Sequence, residues 1–201
     1  MSSAISVISA FAVISGHSVI AQSSPAPVVV VFETTHGAIS IEVNVAKAPV
    51  TAANFLKYVD AGLYNGGRFH RTVRPDTETR KDVPIQVVQA TRAPRTPETP
   101  SFKPIPLERT NTTGLKHVDG AVSMARSANA DSAMADFFIC LGAQPLLDFG
   151  GPRNADGQGF AVFGRVIAGM DVVKKIQAAP VREGTQTIAF PIVILKAARK
   201  R

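Results

Sequence analysis

The sequence predicts a mainly β protein, a closed antiparallel barrel capped by two α-helices, and three observations point there. Gly and Pro are frequent, 15 and 14 of 201 residues, and they punctuate short runs rich in β-branched side chains. Only two stretches, near residues 49–61 and 169–178, carry helical spacing of apolar residues. The order is strand, strand, helix, several strands, helix, strand, which lacks the regular alternation of a parallel sheet. Closing an antiparallel sheet on itself removes its exposed edges, so a barrel is the simplest arrangement.

The elements follow in chain order. Val28 to Thr35 is a β-branched run, His36-Gly37 makes a tight turn, and Ala38 to Val43 alternates apolar and polar, so the three form a hairpin. Pro49 opens a helix in which Val50, Ala53, Phe55, Leu56 and Val59 recur on one side, and Gly62 stands just past its end. After the turn at Tyr64-Asn-Gly-Gly67, Arg68 to Val73 reads as a strand. Residues 74–82 are polar and read as a surface loop, and Pro84 to Thr91 as the next strand. Residues 92–106 hold five prolines among polar residues and predict a long irregular connection. Gly120 to Ala125, Asp136 to Leu141 and Phe160 to Val166 are further strands, with a Gly-rich segment at 149–159. Gly169 to Ala178 is an amphipathic helix with Met170, Val172, Val173 and Ile176 on its apolar side, and Ile188 to Leu195 is the last strand.

Composition fits one folded domain: 45% of residues are hydrophobic and 18% charged. A formal net charge of +7 raises nucleic acid as a partner, but Lys and Arg are scattered among acids and prolines. Only Lys196 to Arg201 is densely basic, and no aromatic residues interleave with it, so no nucleic-acid partner is expected. The single cysteine, Cys140, lies in an apolar run and has no intrachain partner. No metal-ligand spacing and no G-x-S-x-G elbow occur, so neither a metal site nor a serine hydrolase is expected. Residues 1–21 form an apolar, Ser-containing stretch ending in Val19-Ile-Ala21, which has the pattern of a cleaved secretory signal without its usual basic start. The expected layout is a signal peptide at 1–21, a linker at 22–27, one domain at 28–196 and a basic tail at 197–201. A periplasmic or secreted monomer follows, with no stable membrane insertion once the signal is removed.

Several segments, in order, resemble the cyclophilin family of peptidyl-prolyl cis-trans isomerases, in its bacterial exported branch. They are Ala48 to Leu56, Tyr64 to Arg71 with its Phe-His-Arg ending, Val87-Val-Gln89, Gly120 to Arg126, Phe137-Phe-Ile139, Leu147-Asp148, Val162-Phe-Gly164 and Gly169 to Val173. The resemblance covers about residues 28–196 and implies an eight-stranded barrel, no cofactor, and a surface groove for extended Xaa-Pro peptides and unfolded protein segments.

That chemistry needs no nucleophile. Amide resonance gives the peptide bond a rotation barrier of roughly 18–20 kcal/mol, and only Xaa-Pro bonds have a substantial cis population. A rate gain of about 10⁵ requires roughly 7 kcal/mol of selective transition-state stabilisation. One hydrogen bond to a charged group supplies about 1.5–3 kcal/mol, so several devices must cooperate. By the resemblance, Arg71 donates to the proline nitrogen, whose lone pair localises only in the twisted state. Gln89 contacts substrate backbone and orients the Arg71 side chain, and Phe138 forms a wall of the proline pocket. Phe137 and Phe138 point to opposite faces of one strand, so one serves the core and the other the groove. Val87, Gln86, Leu147 and Phe160 are the further pocket positions, and Ala125 and Arg126 line the groove beside the residue preceding proline. His70 is turned the other way by strand alternation and is structural.

Four departures from the family pattern bear on activity. The 74–83 loop replaces a short connection, leaving Gln86 or Ile85 where an aromatic residue is usual. Val87 stands for a larger Met, and Leu146 for the Trp of many eukaryotic relatives, so tight cyclosporin binding is not expected. Asp136 stands where Gln is usual and shares strand parity with Phe138, which predicts that it faces the groove and orients or sequesters Arg71. A pocket less apolar than usual implies reduced activity or altered substrate range. The rival reading is a catalytically weak barrel that acts as a chaperone or proline-peptide binding module.

Overall fold

The computed structural model describes residues 27–100 and 102–200. The expected signal peptide, and the linker up to residue 26, lie outside the described residues. Eight strands close into one barrel: β1 (Val28–Thr34), β2 (Gly37–Val43), β3 (Arg68–Val73), β4 (Val87–Thr91), β5 (Ala121–Met124), β6 (Phe137–Cys140), β7 (Ala161–Ala168) and β8 (Thr187–Arg199). Their order around the barrel is β1-β2-β7-β5-β6-β4-β3-β8, and every pairing is antiparallel. The two predicted helices are α1 (Pro49–Asp60) and α3 (Met170–Gln177); between them lies α2 (Thr110–Thr113), a single turn that follows the long Pro-rich connection.

Interior and exterior alternate along each strand as the pleat requires. Val30, Phe32, Ile39, Ile41, Phe69, Val88, Ala90, Val122, Met124, Phe137, Ile139 and Phe163 pack in the main core with Phe55 from α1 and Tyr64. Phe55 sits 4.7 Å from Phe163 and 5.6 Å from Phe137, centroid to centroid. The barrel interior is thus occupied by its own large side chains. Each fully buried ring contributes about 1.5–3 kcal/mol by removal from water.

Helix α1 is started from a distance. Pro49 occupies its first turn, and the Glu108 carboxylate accepts hydrogen bonds from the backbone N–H of Val50 (3.1 Å) and Thr51 (2.7 Å). A carboxylate there also complements the positive end of the helix dipole. The segment expected to be a basic tail is instead largely strand. β8 runs to Arg199, pairs with β1, and Arg199 clasps Asp60 of α1 through two bonds of 2.7 and 2.6 Å. Strand pairing with β1 outweighs the local polarity that suggested a solvated end.

Candidate active site

A second apolar cluster lies outside the barrel, on the faces of β3 to β7 that point away from the core: Val73, Ile85, Val87, Ala121, Phe138, Cys140, Leu147 and Val162. It floors an open cleft of about 390 Å³. The register explains what faces it. Arg71 pairs with Gln89, Gln89 with Phe138, and Phe138 with Ser123, so four side chains stand in one row across β3, β4, β6 and β5.

Arg71 reaches this row through a bulge. Phe69 pairs with Ala90 and faces the core, and strict alternation would send Arg71 inward with it. The register shifts between Phe69 and Arg71, so His70 is an extra residue and Arg71 is turned outward beside Gln89. The bulge, rather than simple alternation, therefore sets the direction of Arg71, and His70 does not line the cleft. The His70 ring is left with Nδ1 buried and without a hydrogen-bond partner among the described residues, and burial lowers its pKa.

The guanidinium of Arg71 is held on two sides. Its Nη1 donates to Gln89 Oε1 at 3.0 Å, and its Nε and Nη2 donate to Gln186 Oε1 at 3.0 and 2.5 Å. A guanidinium has five N–H donors; among the described residues three are used, and two remain for the cleft that Arg71 lines. Burial, and then the nearby Arg153 cation, lower the Arg71 pKa, while Glu78 opposes them. A guanidinium remains charged at neutral pH regardless.

Phe138 is fixed by its neighbours. The His117 ring stacks on it at 5.9 Å and 12°, and Phe160 meets it edge-on at 5.3 Å and 90°. Phe160 is in turn covered by the Arg126 guanidinium at 5.3 Å, which is anchored to Gly159 O and Asp156. Leu147, from a 3-10 turn at Pro145–Leu147, completes the floor. Gly159 has φ +67°, and a Cβ there would meet Leu147 O at 2.7 Å, so this approach of the two chain segments requires glycine.

The structure thus brings Arg71, Gln89, Phe138, Val87, Ala125, Arg126, Leu147 and Phe160 to one cleft. Two predicted members are elsewhere. Ile85 fills the wall position; Gln86 points away, its side chain 3.4 Å from Gln177, because adjacent residues of an extended chain face opposite sides. Asp136 accepts from Thr91 Oγ1 at 2.6 Å and lines a neighbouring hollow of about 600 Å³ with Arg68, Arg92 and Arg95. It keeps the outward parity of Phe138, since its hollow shares Gln89, Ala125 and Arg126 with the cleft, but its carboxylate is taken by Thr91 and makes no hydrogen bond or ion pair with Arg71 among the described residues.

Sequence reasoning missed Gln186, Arg80, Arg153 and Asn154, the last three lining the same cleft. It also missed Glu78, which the polar loop at 74–83 buries to 3% exposure. No local pattern marks these residues: Gln186 is 115 positions from Arg71, and only the β3–β8 register brings them together. A Ser-His-Asp chain is present behind the cleft, with His117 Nδ1 2.8 Å from Asp148 and Nε2 3.0 Å from Ser123 Oγ. Burial lowers the His117 pKa against the pull of Asp148, so the neutral ring donates from Nδ1 and accepts the serine proton at Nε2. Ser123 is fully buried beside Phe138 and is closed to any substrate, so this chain of bonds holds the pocket wall rather than a nucleophile.

Residues 29–199 match the family described as cyclophilin type peptidyl-prolyl cis-trans isomerase/CLD. The chain is 35% identical over 147 residues to peptidyl-prolyl cis-trans isomerase A of Dickeya dadantii, covering 73% of this chain and 70% of that protein. It is 36% identical over 148 residues to peptidyl-prolyl cis-trans isomerase B of Escherichia coli, covering 74% and 83%. Among solved structures, a Cryptosporidium parvum cyclophilin type peptidyl-prolyl cis-trans isomerase in the presence of the dipeptide Ala-Pro aligns with a TM-score of 0.67. The alignment covers 86% of this chain and 99% of that one at 18% identity, a likeness of fold.

Proposed function

The chain belongs to the cyclophilin-type peptidyl-prolyl cis-trans isomerases and is an enzyme of that class, and from that premise we propose that it rotates Xaa-Pro bonds in the Arg71 cleft. The proline ring lies on Phe138, Leu147 and Phe160, against the Ile85 and Val87 side. Gln89 keeps the guanidinium in place and offers its amide to the substrate backbone. As the amide twists, its nitrogen loses conjugation and regains a basic lone pair; one of the two spare N–H groups of Arg71 donates to it. In the planar amide that lone pair is delocalised and a poor acceptor, so the bond favours the transition state selectively. No bond is made or broken, and no proton changes owner.

The observation that carries this reading is the unspent donor capacity of Arg71 at the rim of an apolar floor. Arg80 and Arg153 also line the cleft, but Asp82 and Glu78 offset their charge, so they add polar donors rather than net charge. The proposed setting is the folding of exported proteins, a reading supported by the apolar first 21 residues. Two-dimensional NMR exchange on an Ala-Pro tetrapeptide separates the isomerase from a mere binding module. Substoichiometric protein should produce cis–trans exchange cross-peaks absent from the free peptide. Shifts on binding without faster exchange would replace the enzyme with a proline-peptide holder.

A further inference from the structure

We propose that Gln186 is a positioning residue for Arg71, and that the 74–83 loop holds Gln186 in the required orientation; the role of Arg71 itself rests on the reading above. Gln186 stands immediately before β8, where its backbone O accepts from Thr72 N at 2.9 Å and fixes it alongside β3. Its Oε1 accepts from both Nε and Nη2 of Arg71. Two donors converging on one acceptor fix the guanidinium plane as well as its distance, which the single contact with Gln89 does not.

The amide can serve only in one orientation, and the loop selects it. On its other side, Nε2 donates to Thr77 O at 3.2 Å and reaches Glu78 Oε1 at 3.4 Å. A flipped amide would set N–H against N–H at Arg71 and oxygen against oxygen at the loop. Glu78 is held firmly enough to act as the reference. Its Oε1 accepts from the N–H of Arg80 (2.9 Å), and its Oε2 from the N–H of Ile85 (3.0 Å) and from Arg153 Nη1 (2.8 Å). Its burial is therefore compensated by a complete set of donors. The path runs from Arg153 through Glu78 and Gln186 to Arg71. Its first link is an ion pair, and the two that follow are hydrogen bonds to the Gln186 amide. Arginine has many rotamers, and a guanidinium already aimed before substrate arrives loses no further freedom in the transition state.

The test is a cycle of Gln186→Met and Arg71→Lys, read by kinetics and by the Arg71 Nε–Hε NMR signal. Gln186→Met keeps the side-chain length and removes the acceptor. It should lower kcat about ten- to a hundredfold, the scale of a misplaced catalytic group, with KM within about twofold because the apolar floor is untouched. The Arg71 Nε–Hε signal, protected from solvent exchange in the parent, should exchange rapidly in the variant. In the Arg71→Lys background, Gln186→Met should have almost no further effect. Gln186→Leu, which likewise removes the acceptor without adding charge beside Glu78, serves the same purpose if the methionine variant does not fold. Unchanged kcat in Gln186→Met, or an equal loss in the parent and the Arg71→Lys backgrounds, would overturn the proposal. An Arg71→Lys enzyme as active as the parent would instead refute the role given to Arg71, while the NMR signal would still report whether Gln186 holds the guanidinium.

Discussion

Replacing Glu78 with Ala should cost this protein both stability and catalysis, although the residue lies in a segment that reads as a polar surface loop. The carboxylate is 3% exposed and accepts from two backbone N–H groups and from Arg153, whose own side chain is only 10% exposed. Removing one member of a buried ion pair costs about 3–5 kcal/mol, because the other charge stays buried without its partner. Arg153 retains its bond to Val83 O at 2.7 Å, which places the expected loss near the lower end. About 3 kcal/mol lowers Tm by roughly 6–12 °C in a domain of this size. The effect should depend on pH with a definite sign. Burial opposes ionisation of Glu78, but the backbone donors and Arg153 outweigh it, and its pKa is lowered. The unfolded chain therefore binds the proton more readily, so the stabilisation is complete above the ordinary carboxylate range and is lost as pH falls through the lower folded value. Thermal unfolding of parent and Glu78→Ala at pH 7 and across the acid range measures this. A Tm within about 2 °C of the parent at pH 7, or a difference that grows on acidification, would refute the reasoning.

Phe138→Ala should weaken Xaa-Pro peptide binding by about tenfold or more, measured by titration, and lower stability by about 3 kcal/mol because a ring 5% exposed is lost. His117 and His70 both have pKa values lowered mainly by burial, so the unfolded chain binds their protons first as pH falls below about 6.5. Stability should accordingly decline as pH falls through the ordinary histidine value of about 6.5 toward the lower folded values, and His117→Gln should flatten part of that slope in a Tm-against-pH series; an unaltered slope would refute the role given to His117. Asp136→Asn should change kcat on short proline peptides less than about threefold, since the carboxylate serves Thr91; a tenfold change would reinstate its link to Arg71.

The barrel is legible in the sequence because period-2 alternation and turn residues are local signals. The strands around Ala121, Phe137 and Ala161 fall within a residue or two of apolar runs bounded by Gly, Asp and Ser. The end of β8 is not legible, because Lys196-Ala-Ala-Arg199 carries flanking cations and low β-propensity alanines and is strand through pairing with β1. At the site, Arg71, Gln89 and Phe138 stand in family-like segments, and the structure brings them into one row. What sets their orientation is invisible locally. The bulge at His70 depends on how β3 registers with β4 and β8, and Gln186 meets Arg71 only because β8 returns beside β3. Glu78 looks like a loop acid because nothing in a polar run announces that Arg153, far along the chain, will cover it. Gln86 departs from expectation because it is adjacent to Val87 and alternation turns it to the other face, whereas Asp136 keeps the outer face but is taken by Thr91.

The central claim is that one cationic donor selectively stabilises a twisted prolyl amide. Its most direct measurement is kcat/KM for Arg71→Ala against the parent in a protease-coupled assay on proline tetrapeptides, with peptide affinity measured alongside. Loss of one charge-assisted hydrogen bond worth about 1.5–3 kcal/mol predicts a fall of roughly ten- to two-hundredfold, carried by kcat, with affinity nearly unchanged. Equal turnover by the two proteins, or a fall owed wholly to weaker binding, would contradict it.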